Sequence, residues 1–264
     1  MEEKALTHGI KLRDRIGYAL GDTAGLLTFG LISSFLQMFY TDTLKIDPAK
    51  IAVLFLVARI WDAVNDPMWG AFIDSRKPTR YGRFRPYILG ASIPLAISSL
   101  FMFTDLPLVI NNFFGTNIAW SEGQYLVYAY ITYIFYGMMY TGTNIPYGSL
   151  ASVITDDEIE RSSLSMWRSV GAGIGGLPAQ ILMPIFVYTT VMVGDTQIKR
   201  LDGMKMFYSV AVLAVLTIVV YYIHFKNTKE RIAPPKKQKQ EGYNVLTTVK
   251  FLLKNKPFIA LCVV

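Results

Sequence analysis

The chain has 264 residues, 52% hydrophobic and 14% aromatic with only 17% charged, a formal net charge of +7 and a mean hydropathy of +0.35. Its apolar stretches run to about 20 residues, longer than the roughly 10 to 14 of a buried core helix, which excludes a soluble globular class. A single cysteine, Cys262, excludes an intramolecular disulfide and a cysteine-based metal centre, and the two histidines, His8 and His224, leave no histidine-rich site.

In chain order, residues 1–15 are charged and polar, and the apolar run after them is too long for the core of a cleavable signal. Spans are expected at 16–40, 49–73, 87–106, 125–150, 166–193 and 207–225, the fifth interrupted by glycines and prolines. Every backbone polar group in lipid needs an internal partner, and these segments lack the alternation of a barrel. They therefore read as helices, and the fold class as an all-α membrane protein. The connection 107–123 reads as a polar, Asn-rich loop. Residues 226–256, with Pro234-Pro235 and Lys/Gln repeats, read as a basic linker facing the membrane lipid, within which 244–254 fits either a solvated linker that only enforces topology, the favoured reading, or an interfacial amphipathic helix. Residues 257–264 read as the start of a seventh span.

Lys and Arg set the orientation. About twenty lie in residues 1–15, the connections after the second and fourth spans and the last segment, against five on the other side. The N-terminus and the basic linker are accordingly expected in the cytoplasm, in a multi-pass protein of the inner membrane. The positive charge follows the membrane, so no nucleic acid is implied.

The second span carries Arg59, Asp62 and Asp66 at i, i+3 and i+7, with Asn65 beside them and Asp62 about 20 Å from either end. Ionisable groups at that depth cost several kcal/mol unless they pair or line a wet cavity. An Arg–Asp pair that locks two helices is the alternative; it accounts for Arg59 and one carboxylate and leaves the second without a reason. Two carboxylates one turn apart repel when both are ionised, so Asp62 and Asp66 suit a proton or a hard metal ion such as Na⁺.

Asp22, in the first span, is either a cap near the interface or a ligand contact, with Gly25 and Phe29 leaving space beside it. Tyr133, Tyr136, Tyr140, Asn144 and Tyr147 form one stripe on the fourth span, with Thr141 beside it. That stripe suits a polyhydroxylated ligand or interhelical packing, and Asn144-Ile145-Pro146 predicts a helix break. Gly171-Ala172-Gly173-Ile174-Gly175-Gly176 matches a dinucleotide-binding string but follows no strand, so its glycines are expected to let helices approach closely. Arg168 requires a carboxylate or an anionic or hydroxyl-rich ligand. Asp74 with Arg83 and Arg85 forms a candidate latch between helix ends.

The run from Arg59 to Pro67, the 70–85 connection, Asn144-Ile145-Pro146-Tyr147-Gly148-Ser149-Leu150 and Arg168 resemble the glycoside–pentoside–hexuronide:cation symporters of the major facilitator superfamily, from about residue 11 onward. The resemblance implies the six-helix N-terminal half of that fold at 1–225, the linker at 226–256 and the beginning of the seventh helix at 257–264. It also implies a C-terminal half beyond residue 264. It places the coupling Na⁺ or H⁺ at Asp62, Asn65, Asp66 and Thr141, and the sugar at Asp22, Tyr140, Asn144, Gly148 and Arg168. Arg59, Asp74, Arg83 and Arg85 fall to gating. The partners implied are a sugar or glycoside and the cation, with no cofactor and no enzymatic activity. The melibiose permease-like branch has aspartate at the position of Asn144 and tryptophan at that of Gly148. Branches for xylosides, glucuronides or lactose use the Asn-Ile-Pro-Tyr-Gly form. Two other readings are a truncated, non-transporting remnant and an intramembrane prenyl or phosphatidyl transferase. The transferase needs three or four regularly spaced carboxylates, and the residue three after Asp66 is Trp69.

Overall fold

The computed structural model describes residues 9–193 and 196–232. Helix α1 (Leu12–Leu31) opens with the Lys11 N–H donating to Asp14 Oδ2 (3.1 Å) and continues through two wider π turns, Ile32–Leu36 and Phe39–Thr43. Helix α2 (Pro48–Ser75) starts where Asp47 accepts the Ala49 N–H (2.7 Å), with proline in its first turn. Then come α3 (Arg85–Met102), α4 (Leu106–Phe114), α5 (Glu122–Ile154), α6 (Glu158–Leu177), α7 (Met183–Phe186) and α8 (Gly203–Asn227). Helix α1 packs on α6 and α8, α3 on α5 and α8, and α2 chiefly on α5.

The α1–α6 seam is set by small residues. A Cβ on Gly171 would stand 2.7 Å from the Ala19 carbonyl carbon, and one on Gly175 would stand 2.8 Å from Thr23 Cα. The Thr23 hydroxyl donates to the Gly171 carbonyl (2.9 Å), a cross-helix bond that only close backbones permit. The glycine string thus serves helix approach, as expected.

Among the described residues, three helical segments are long and apolar enough to cross a membrane, Leu12–Leu36, Glu158–Phe186 and Gly203–Asn227, and a fourth if the bent pair α3–α4 is one span. Helices α2 and α5 have ample length, 28 and 33 residues. They are set apart from these by composition: α2 holds Arg59, Asp62 and Asp66 within its length, and α5 is rich in tyrosine, glycine and threonine. The apolar helices mark a multi-pass membrane protein.

Four expectations are corrected. The third span stops at Met102 rather than 106. Asp105 caps a new helix through the Leu108 N–H (3.2 Å), and α4 leaves α3 at 85°. The same cap makes residues 106–114 helical rather than a polar loop. The fifth span does not reach 193, and the fold is not wholly α: Tyr188–Val193 forms strand β1, antiparallel to β2 (Thr196–Leu201), with Tyr188 opposite Leu201 and Thr190 opposite Lys199. The β-branched Thr189-Thr190-Val191 run disfavours helix and suits a strand. Lastly, α5 runs unbroken past Pro146, which only withholds its missing N–H from the turn before it.

Of the expected linker 226–256, the described residues include only the start, where α8 runs on to Asn227. There, Arg231 and Ile232 return to the bundle and donate their N–H groups to the Val153 carbonyl (2.8 and 3.0 Å). The remainder of the linker, the amphipathic pattern at 244–254 and the segment 257–264 lie outside the described residues.

Candidate functional site

A cavity of about 190 Å³ opens where α2 and α5 meet the end of α1. From α2 it takes Arg59, Asp62 and Asp66; from α5, Tyr133, Tyr136, Tyr140, Thr141 and Asn144; and from α1, Phe29 and Ile32. The Thr141 hydroxyl donates to Asp66 Oδ1 (2.9 Å), which joins the two helices by a polar contact across the cavity wall. Asp62 finds room because position 137 is glycine: a Cβ there would sit 3.3 Å from Asp62 Oδ1. Arg59 lines the same space and makes no ion pair among the described residues, so it does not form the helix-locking Arg–Asp pair. Two carboxylates and a hydroxyl, with an arginine at the rim, make an oxygen-only donor set that fits a small hard cation or a proton.

Asn65 does not line this cavity. It sits one residue, about 100° of helix, from Asp66. That puts it on the stripe of Ile51, Leu54 and Ala58, where it is buried.

The tyrosine stripe divides by burial. Tyr136 gives its hydroxyl to a bond with Thr28 (3.0 Å) and Tyr147 bonds the Tyr18 carbonyl (2.9 Å); both are interhelical packing residues. Tyr140 is half-buried and stacks on Phe29 (5.2 Å between centroids), which follows Asp22 by two turns on α1. Asn144 and Gly148 lie exposed on α5, and a Cβ at Gly148 would meet nothing within 4 Å, so there is room for a larger side chain there. The space expected beside Gly25 is filled by the Tyr221 hydroxyl of α8.

Asp22 pairs with Arg168 of α6. Arg168 Nε lies 3.4 Å from its Oδ2, with the arginine side chain 41% exposed and the aspartate 17%. Gly171 and Gly175 follow Arg168 at i+3 and i+7, so the face that packs on α1 also delivers the guanidinium to Asp22. One long contact leaves most of the arginine's donors available to a ligand.

At the basic end, Arg83 pairs with Asp74 (3.1 Å) and also donates to its carbonyl (2.9 Å). Arg85 turns instead to α8, contacting the Phe225 carbonyl and lying 4.3 Å over the Phe225 ring. The residue that binds this end was missed. Glu230, lost among the lysines of the basic segment, accepts the backbone N–H groups of Arg83 (2.6 Å), Phe84 (2.8 Å) and Arg85 (3.0 Å). It thus places an anion on the N-terminus of α3. Gly82 admits it, with φ +109 and a would-be Cβ 2.6 Å from Glu230 Oε2. Next to it, Arg231 pairs with Asp14 (2.7 Å). Glu230→Ala is expected to lower stability by about 1 to 3 kcal/mol, since three donors lose a charged acceptor. Glu230→Gln should lose less. Thermal unfolding in detergent checks this, and a Glu230→Ala protein that melts with the parent refutes the cap.

Residues 17–264 match a family model described as MFS/sugar transport protein. An isoprimeverose transporter of Lactiplantibacillus pentosus is 35% identical over 246 residues, 93% of this chain and 47% of its own length. From Escherichia coli K12, a putative glycoside/cation symporter, YagG, is 33% identical over 254 residues (96% and 50%). A glucuronide carrier protein homolog from the same strain is 32% identical over 256 residues (95% and 50%). The chain spans about half the length of these curated relatives. The extent of the family match and the shared symporter relatives agree with the resemblance carried by the Arg59–Pro67 run. These are transporters, not enzymes, and they indicate no cofactor. The chain belongs to the MFS/sugar transport protein family.

Proposed function

We propose that this chain forms one half of a cation-coupled sugar symporter of the inner membrane, crossing it six times through α1, α2, α3, α5, α6 and α8. Its N-terminus and the segment from 226 are cytoplasmic, and the substrate is a glycoside, pentoside or hexuronide moved with Na⁺ or H⁺. The observation that carries this reading is the shared cavity: Asp62, Asp66 and Thr141 line one wall, and Tyr140 and Asn144 continue along the same helix as Thr141. A cation between the two carboxylates removes their mutual repulsion and draws α2 to α5. That fixes Tyr140 and Asn144 for a sugar held from the far side by Asp22 and Arg168. Each ligand then raises the affinity for the other by the same factor. Asn65 supports the carboxylates from the packed face, and Gly148 leaves room for the substrate. Arg59, Asp74, Arg83 and Arg85 belong to the rims that open and close as one half rocks against the other.

The names of the relatives support the sugar and cation classes. Their length supports a second half that completes the site. The test is transport by the complete protein in vesicles. A sugar gradient is expected to drive Na⁺ or H⁺ entry, and sugar uptake that is indifferent to both cation gradients overturns the reading.

A further inference from the structure

Tyr147 is 3% exposed, one turn beyond Asn144, and every contact of its ring is committed. It stacks on Tyr18 of α1 (4.7 Å, 22° between planes), takes the edge of His224 of α8 (5.7 Å), and its hydroxyl donates to the Tyr18 carbonyl (2.9 Å). His224 is itself held to α1, its Nδ1 lying 2.7 Å from the Gly17 carbonyl. Gly21 is the seat for the ring: a Cβ there would stand 2.8 Å from Tyr147 Cδ2 and 3.0 Å from the His224 ring. Three helices thus converge on one aromatic ring, and α6 lays Arg168 over it, with the guanidinium carbon 5.2 Å from the centroid.

The only anionic partner of Arg168 among the described residues is Asp22, through one contact at 3.4 Å. A single long bond does not fix the plane of a guanidinium, whereas a fork of two does. The ring face supplies the second constraint, since a cation over an aromatic is held by the ring quadrupole most strongly where water is scarce.

We propose that Tyr147 is a positioning residue that aims Arg168 at the sugar and does not itself touch substrate. The proposal rests on Asp22 and Arg168 forming the sugar site. Its ring carries the Arg168 guanidinium, while Tyr140, two turns earlier on the same stripe and half-buried, is left for the ligand.

The test uses the complete transporter, reading half-saturating sugar and half-saturating cation separately. Tyr147→Met fills much of the volume and removes the ring. It is expected to raise half-saturating sugar about tenfold and to leave half-saturating cation within about twofold. Tyr147→Phe keeps the ring and is expected within about threefold on both. Arg168→Gln combined with Tyr147→Met should be no weaker for sugar than Arg168→Gln alone, because the ring acts through the arginine. If Tyr147→Met does not accumulate in the membrane, phenylalanine against 3,4,5-trifluorophenylalanine at the same position decides. The two share a shape and differ in the ring quadrupole, and sugar affinity should fall only with fluorination. Unchanged sugar affinity on loss of the quadrupole, equal loss for sugar and cation, or losses that multiply in the double variant each overturn the role. Arg168→Gln with unaltered sugar affinity overturns the sugar-site reading instead, whatever Tyr147 does.

Discussion

Asp66→Asn is expected to lower cation affinity by 100-fold or more and to abolish cation-driven sugar accumulation, while the protein still folds. Asparagine keeps an oxygen for the Thr141 hydroxyl, which lies 2.9 Å from Asp66 Oδ1, so the link between α2 and α5 survives. What is lost is the charge. Unit charges about 4 Å apart at an effective dielectric of about 20 attract by about 4 kcal/mol, on the order of a thousandfold in affinity. Asp66 is exposed on the open face of α2, so screening brings the expected loss toward the lower figure. Asp62→Asn should match it, because either carboxylate alone leaves an incomplete cage. Thr141→Val removes one neutral ligand and is expected to cost about tenfold. Direct titration of Na⁺ or Li⁺ binding, with downhill sugar entry as a control, separates these effects. Cation-driven accumulation that persists in Asp66→Asn refutes the assignment of the site.

The contrast between Asp66 and Asn65 shows how far the sequence reaches. Spacing alone predicts that Asp62 and Asp66 share a face, because a helix fixes the angle between i and i+4. The same rule turns Asn65 about 100° away, so reading it beside the carboxylates from its place in the sequence was mistaken, and the resemblance only repeated that placement. Arg168 is a similar success. An arginine inside an apolar helix demands an anion, and Asp22 provides it. The identity of that partner became visible only when Gly171 and Gly175 brought α1 against α6, since no local pattern pairs residues 146 apart.

The failures share a cause. Hydropathy registers how apolar a stretch is, not which period its side chains follow. Residues 188–193 therefore looked like the tail of a span, although their β-branched composition and the exposed partner strand 196–201 make a hairpin. Asp105 was overlooked because a cap needs its position relative to the next helix, and a continuous apolar run concealed where that helix begins. Glu230 stands among lysines and arginines, and nothing in its local pattern singles it out. Its role arises from three N–H groups 145 to 147 residues away, a contact that only the folded chain displays.

Gly171→Ala is expected to disrupt the bundle, while Gly173→Ala, two residues along the same helix, is expected to be silent or mildly stabilising. The two substitutions add the same methyl group to the same helix, where alanine is intrinsically favoured over glycine by up to about 1 kcal/mol. At 173 the methyl would meet nothing within 4 Å. At 171 it would collide with the Ala19 carbonyl group, with the carbonyl carbon 2.7 Å away. That obstacle is backbone and has no rotamer to give, so α1 and α6 must separate. Forcing them apart also breaks the Thr23–Gly171 bond, for a combined cost of roughly 3 kcal/mol or more. The movement has a functional signature beyond stability. Arg168 lies one turn from Gly171, so a shift of α6 draws the guanidinium off Asp22 and off the Tyr147 ring, both of which stand on other helices. Sugar affinity should therefore fall in Gly171→Ala protein that does reach the membrane, with cation affinity, built on α2 and α5, much less changed. Thermal unfolding and sugar binding measured on both variants check the pair. Equal behaviour of the two refutes the close α1–α6 crossing on which the placement of Arg168 depends.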